Sequence, residues 1–195
     1  MRTPPRLIVP AAMLALALAL AGCGGGHGAG ASSTGGEFDG AALPPGVRAP
    51  DFTLTDQQGR RISLSGRRGK VVALTFLASD CRACTLVAQQ IRGALDELGS
   101  PSDVSTIFVS TSPRTDTSVG AARFLADTSL TGRATFLIGS RRRLLPVWRA
   151  YHASGAEDAI AVLLIDRQGA ERVEFGLEQI TPEGLAHDIR ALRAG

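Results

Sequence analysis

Apolar and polar residues alternate through "APDFTLTDQQGRRISLSGRRGKVV" on either side of Gln58-Gly59, which predicts a β-hairpin of Phe52 to Thr55 with Arg61 to Leu64. Lys70 to Ala78, "KVVALTFLA", is a nearly continuous apolar run of strand length, as expected of a strand covered on both faces. The spacing then lengthens to a helical period. From Cys84 to Leu98 it sets Leu86, Val87, Ile91, Ala94, Leu95 and Leu98 on one face.

The alternation of strand and helix continues. "VSTIFVS" (104–110) reads as a strand, "TSVGAARFLADT" as a helix, "RATFLIG" as a short strand and "SRRRLLPVWRAYH" as a helix containing Pro146. A last long strand, "AIAVLLID", is joined through Gln168-Gly169 to "AERVEFG" as a second hairpin. In "TPEGLAHDIRALRA", Thr181 can cap a helix, Pro182 suits its first position and Glu183 its first turn. A hairpin, βαβα, a further helix and a ββα end predict an α/β class with a central mixed sheet flanked by helices. This is the element order of a thioredoxin-like fold with an N-terminal β-hairpin.

The first residues follow another pattern. Arg2 and Arg6 precede "LIVPAAMLALALALAGC", an apolar run short for a membrane span that ends on small residues and a Cys. Leu20-Ala21-Gly22-Cys23 resembles the lipobox of bacterial lipoproteins, so residues 1–22 are expected to be a lipoprotein signal peptide and Cys23 the lipidated residue. Such a protein would sit at the outer face of the cytoplasmic membrane. Residues 23–46, rich in Gly and Ser, read as a flexible tether, with His27 a solvated bystander. Residues 47–195 then suffice for one domain with a proper core.

Charge narrows little. The chain carries 21 Lys and Arg against 18 Asp and Glu, and removal of Arg2 and Arg6 would bring it close to balance. With one Trp and one Tyr there is no stacking platform for single-stranded nucleic acid, and no nucleic-acid partner is expected. The run Arg141-Arg142-Arg143 reads as a solvated helix start.

The candidate chemistry lies in "ASDCRACT". Cys81 and Cys84 stand where a buried strand gives way to a helix, and unpaired N–H groups and the helix dipole there favour an anion. A thiol so placed has a lowered pKa, and Arg82 adds positive charge. Thiolate serves both disulfide exchange and soft-metal binding. Cys81, nearer the positive end of the dipole, is the expected nucleophile and Cys84 the resolving thiol. No second CxxC or His pair is present to complete a zinc tetrahedron.

These features together resemble the Sco/SenC family. The resemblance rests on "APDFTLTDQQGRRISLSGRRGKVVALTF", the cysteine pair, "STSPRTDT", "FLADTSLTGRATFLIGSRRRLLPVWRAY" and "AVLLIDRQGAERVEF", and spans about residues 47–193. It implies a thioredoxin-fold copper metallochaperone or thiol-disulfide protein serving the copper site of cytochrome c oxidase, with copper held by two Cys and one His. The chain departs from that pattern in three places. The family's CxxxCP becomes "CRACT", with two residues between the cysteines and Thr85 in place of Pro; the family's copper-binding His aligns with Asp158. His152 is the candidate substitute, while His187 in the last helix is expected on its solvated side. Copper(I) favours thiolate and imidazole over carboxylate, so the donor set at Cys81, Cys84 and Asp158 is a poorer copper(I) site than the family's. CxxC spacing is that of thioredoxin-like reductants, although the Pro they carry near Ile160 is missing.

Three functions follow. The first is a thiol-disulfide oxidoreductase, needing no cofactor, whose partner is a redox protein or the copper-site protein of cytochrome c oxidase. The second is a copper(I) carrier using Cys81 and Cys84. The third is a paralogue without either chemistry that binds a partner at the membrane.

Overall fold

The computed structural model describes residues 37–153 and 160–195. Among these, eight strands form one sheet in the order β1-β8-β7-β4-β5-β6-β2-β3. Strand β4 (Val71–Leu77) lies near the middle, parallel to β5 (Val104–Ser110) and antiparallel to β7 (Ala161–Ile165). Strand β6 (Ala134–Ile138) continues the parallel run beside β5. Antiparallel strands complete the edges: β2 (Thr53–Asp56) with β3 (Arg61–Ser63) next to β6, and β8 (Glu171–Gly176) next to β7.

Helices cover both faces, as the element order predicts. On one face α1 (Arg82–Glu97), α2 (Ser118–Asp127) and α4 (Pro182–Ala194) bury Val87, Ile91, Phe124, Leu185 and Ile189 against Ala73, Phe108, Phe136 and Val162 of the sheet. On the other, α3 (Arg141–Ala150) buries Leu144 and Val147 against Leu74, Ile107, Val109 and Leu137. The apolar run of β4 is thereby explained, since both its faces meet core. Arg141, Arg142 and Arg143 are exposed at the start of α3, as expected. The result is the α/β thioredoxin-like arrangement.

The two hairpin turns are built alike. Asp56 and Asp166 each receive the N–H groups two and four residues ahead, from Gln58 and Arg60 at 2.9 and 2.8 Å and from Gln168 and Ala170 at 3.0 and 2.8 Å. The glycine three places on, Gly59 or Gly169, lies at φ +82° in the left-handed region where a side chain is disfavoured. The repeated Asp-x-Gln-Gly of the sequence is therefore one turn used twice. Burial pushes the Asp56 carboxyl up, but hydrogen bonds from the Arg60 side chain and from the Arg60 and Gln58 N–H groups outweigh it and hold the group below the usual carboxylate range.

The fold begins earlier than residue 47. Within the segment expected to be tether, Ala41–Ala42 form β1 against β8, and the Leu43 N–H donates to the Arg172 carbonyl at 2.9 Å. The buried carboxylate of Asp188 in α4 receives the N–H groups of Asp39 and Gly40 at 2.8 and 2.9 Å. Gly40 lies so flat on β8 that a Cβ there would come within 2.5 Å of Val173 and 2.8 Å of Phe175. Residues 37–46 thus belong to the domain, held by backbone bonds that composition does not reveal. A second difference concerns Leu86, expected on the buried face of α1 but 54 % exposed. Along that side of α1, α4 begins only where Pro182 faces Gly93, two turns further on.

Candidate active site

Strand β4 delivers the chain to Ala78, Ser79 and Asp80, and Cys81 then caps α1. Its backbone is extended (φ −98°, ψ 127°) and its Sγ accepts the Cys84 N–H at 3.1 Å. The Cys81 carbonyl accepts both the N–H and the hydroxyl of Thr85, each at 3.2 Å. Thr85 therefore supplies two hydrogen bonds, neither of which a Pro at this position could make.

Cys81 and Cys84 are joined as a disulfide, their Cα atoms 5.2 Å apart. Cys84 is buried at 2 % exposure and Cys81 is half-buried, so only one sulfur is open to a partner. Once the bond is reduced, Cys81 Sγ lies at the positive end of the α1 dipole with a backbone N–H aimed at it, and the exposed Arg82 adjoins. These are the surroundings that stabilise a thiolate. The two cysteines thus differ in exposure and in surroundings.

Asp116 was not singled out by the sequence. It is 4 % exposed and accepts the Ser79 N–H at 2.8 Å, the Ser110 hydroxyl at 2.5 Å and the Ser112 N–H at 3.4 Å. The Ser110 carbonyl in turn accepts the Trp148 indole N–H at 2.9 Å. One carboxylate therefore pins the segment two residues before Cys81 to the end of β5. Its signal in the sequence was the cluster "STSPRTDT" directly after a buried strand, a setting where an Asp ties a loop.

His152 lies apart from the cysteines. His152 follows α3 in the left-handed region, φ 52°, and is exposed. It borders a cavity of about 560 Å³ with Arg48, Tyr151, Glu171 and Glu174, floored by Leu74 and Phe76 on the face of the sheet that carries α3. Cys81 and Cys84 pack into the core of the opposite face. In this cavity, burial and the neighbouring Glu174 raise the pKa of Glu171 while His152 lowers it. Tyr151 donates to the Pro50 carbonyl at 2.6 Å. Asp158, Cys23 and His27 lie outside the described residues.

Among the described residues, one group of three potential metal ligands converges within 4.8 Å: Asp39, His187 and Asp188. His187 is half exposed and bonds Asp188 at 2.9 Å, with Asp39 at 3.4 Å. It is a tie between α4 and the N-terminal segment, remote in the chain from the cysteines. No helix of the described residues is long and apolar enough to cross a membrane.

Against known proteins, the model of the AhpC/TSA family matches residues 45–131. No curated protein matches the chain in sequence. Among solved structures, it is similar to the apo Sco1 protein of Thermus thermophilus (20 % identity, TM-score 0.67, covering 80 % of this chain and 96 % of that one). It is also similar to copper-bound ScoI of Arabidopsis thaliana (18 % identity, TM-score 0.64, covering 76 % and 100 %). The thioredoxin domain of a thiol-disulfide oxidoreductase from Bacteroides vulgatus is a third (18 % identity, TM-score 0.60, covering 76 % and 96 %). At these identities the likeness shows the fold, which Sco proteins and thiol-disulfide oxidoreductases share, in agreement with the resemblance read from the motifs.

Proposed function

We propose that the protein is a lipid-anchored, Sco-like thiol-disulfide oxidoreductase acting outside the cytoplasmic membrane, in assembly of the copper site of cytochrome c oxidase. The observation that carries this reading is the half-buried Cys81 bonded to the buried Cys84 at the start of α1. In the reducing direction, Cys81 thiolate attacks a partner disulfide, forming a mixed disulfide and releasing one partner thiolate. Cys84, deprotonated, then attacks Cys81 Sγ. The partner leaves as a dithiol, having taken two electrons from the two thiols of the protein, which end as the Cys81–Cys84 disulfide. Sco-type likeness supports the oxidase as the setting, and the Arg-led apolar start ending at Cys23 supports the anchor.

A second reading takes copper(I) as cargo. Cys81 and Cys84 stand three residues apart at the start of α1, so the reduced pair could offer two thiolates to a soft ion. Asp158 or a partner residue would complete the site.

A Cys84→Ser variant separates these readings. As an oxidoreductase it accumulates a mixed disulfide through Cys81 with a small disulfide probe, whereas wild type resolves it and yields the intramolecular bond. If the wild-type disulfide does not exchange with a dithiol and Cys84→Ser forms no mixed disulfide, the exchange reading is wrong. Competition of reduced wild type against a copper(I) chelator, with loss of binding in Cys84→Ser, would favour the carrier. Failure of both assays leaves the partner-binding paralogue.

A further inference from the structure

At the end of the sheet away from the disulfide, a polar cavity of about 280 Å³ opens between the β2–β3 turn, the short helix Ser65–Arg67 and the first residues of β5 and β6. Its lining holds three guanidinium groups, Arg60, Arg67 and Arg133, together with Gln58, Thr106 and Thr135, and contains no carboxylate. Arg60 keeps one edge on Asp56 at 2.7 Å, and Arg133 keeps its Nη1 on Asp96 at 2.7 Å. The remaining donors are left over. Arg67 Nε and Arg133 Nε and Nη2 are buried without a hydrogen-bond partner among the described residues.

Guanidinium nitrogens only donate, so neighbouring arginines cannot satisfy one another. Leaving charged donors buried without acceptors is costly, and bringing them together adds repulsion. A single ligand relieves both: a compact anion with several acceptor oxygens, the shape that the planar fork of Arg recognises. We propose that this cavity binds a small oxyanion of the phosphate type. Arg67 and Arg133 are its principal donors, and Arg60 stands at the mouth with its side chain 62 % exposed. The site is independent of the thiol chemistry, which lies at the opposite end of β4 and β5.

The test is thermal unfolding of the full chain in inorganic phosphate against sodium chloride of equal ionic strength. A saturable rise in Tm is expected with phosphate. Arg67→Gln and Arg133→Gln are expected to raise the phosphate concentration needed by roughly tenfold. Because Arg133→Gln also breaks the bond to Asp96, Arg67→Lys is the second variant. It keeps the charge but not the planar fork, so without phosphate its Tm should stay near that of wild type, while its response to phosphate weakens. Sedimentation with phosphatidylglycerol against phosphatidylcholine vesicles locates the source. Recruitment that Arg67→Gln abolishes assigns the oxyanion to a lipid headgroup, and its absence assigns it to free phosphate. Equal Tm in phosphate and chloride, or a phosphate effect untouched by all three substitutions, overturns the proposal.

Discussion

Replacing Asp116 tests whether the loop before Cys81 is held by one carboxylate. In Asp116→Ala, the Ser79 N–H and the Ser110 hydroxyl lose partners at 2.8 and 2.5 Å in a place only 4 % exposed at Asp116 itself. Two donors left unsatisfied at about 1–3 kcal/mol each give a loss of roughly 2–6 kcal/mol; the 3.4 Å contact with Ser112 N–H is too long to add much. Asp116→Asn keeps one acceptor oxygen, and its NH2 can donate to Ser110 Oγ, so its loss should be smaller, about 1–2 kcal/mol. Urea unfolding of the oxidised proteins measures both. Alkylation of Cys81 after reduction supplies a readout that stability alone does not move: native-state rates should change in Asp116→Asn if Ser79 is what sets the cysteine. Asp116→Ala unfolding within about 0.5 kcal/mol of wild type would refute the reasoning.

The twin hairpin turns offer a matched pair. Gly59→Ala places a Cβ at φ +82° in open space and should cost about 1–2 kcal/mol for the backbone alone. Gly169→Ala has the same φ but puts the Cβ within 1.5 Å of the Arg68 guanidinium, so it should unfold at lower urea than Gly59→Ala; equal midpoints would show that Arg68 swings away freely. For His187, the hydrogen bond to Asp188 and then the charge of Asp39 raise the ring's pKa above its ordinary 6.5. Because the folded value is the higher one, its stabilisation is fully present below about pH 6.5 and fades as pH rises through the folded pKa. NMR titration of the ring, with unfolding of His187→Gln across that range, checks this. Titration at or below 6.5 would contradict it.

Much of the fold could be read from periodicity because its elements are ones that periodicity describes. Strand β4 is apolar on both faces since both are covered, and the hairpins announce themselves by Asp-x-Gln-Gly. The cysteines were legible for the same reason: a strand end and a helix start flank them. What escaped depended on contacts between distant segments. Gly- and Asp-containing residues 37–42 look like tether until the Asp188 carboxylate is known to face their N–H groups. Leu86 sits on the apolar stripe of α1, and periodicity has no means of saying that α4 reaches that side only at Gly93. The Arg-lined cavity joins residues from four segments, none of which has an anion-binding motif.

The four buried aspartates show why a carboxylate in sequence is hard to assign. Asp56, Asp116, Asp166 and Asp188 are the buried charged residues among those described. Each accepts backbone N–H groups where the chain turns or where two segments meet. Three serve the frame, and Asp116 serves the site. It fixes Ser79 upstream of Cys81 while Thr85 fixes the Cys81 carbonyl downstream, so Cys81 is held from both sides without itself being buried. With Pro at 85 the downstream tie would lose its N–H donor. The two-residue spacing and the Thr therefore act together: the helix starts at Cys81, its first turn closes on that residue's own carbonyl, and the Cys84 N–H is left pointing at the Cys81 sulfur.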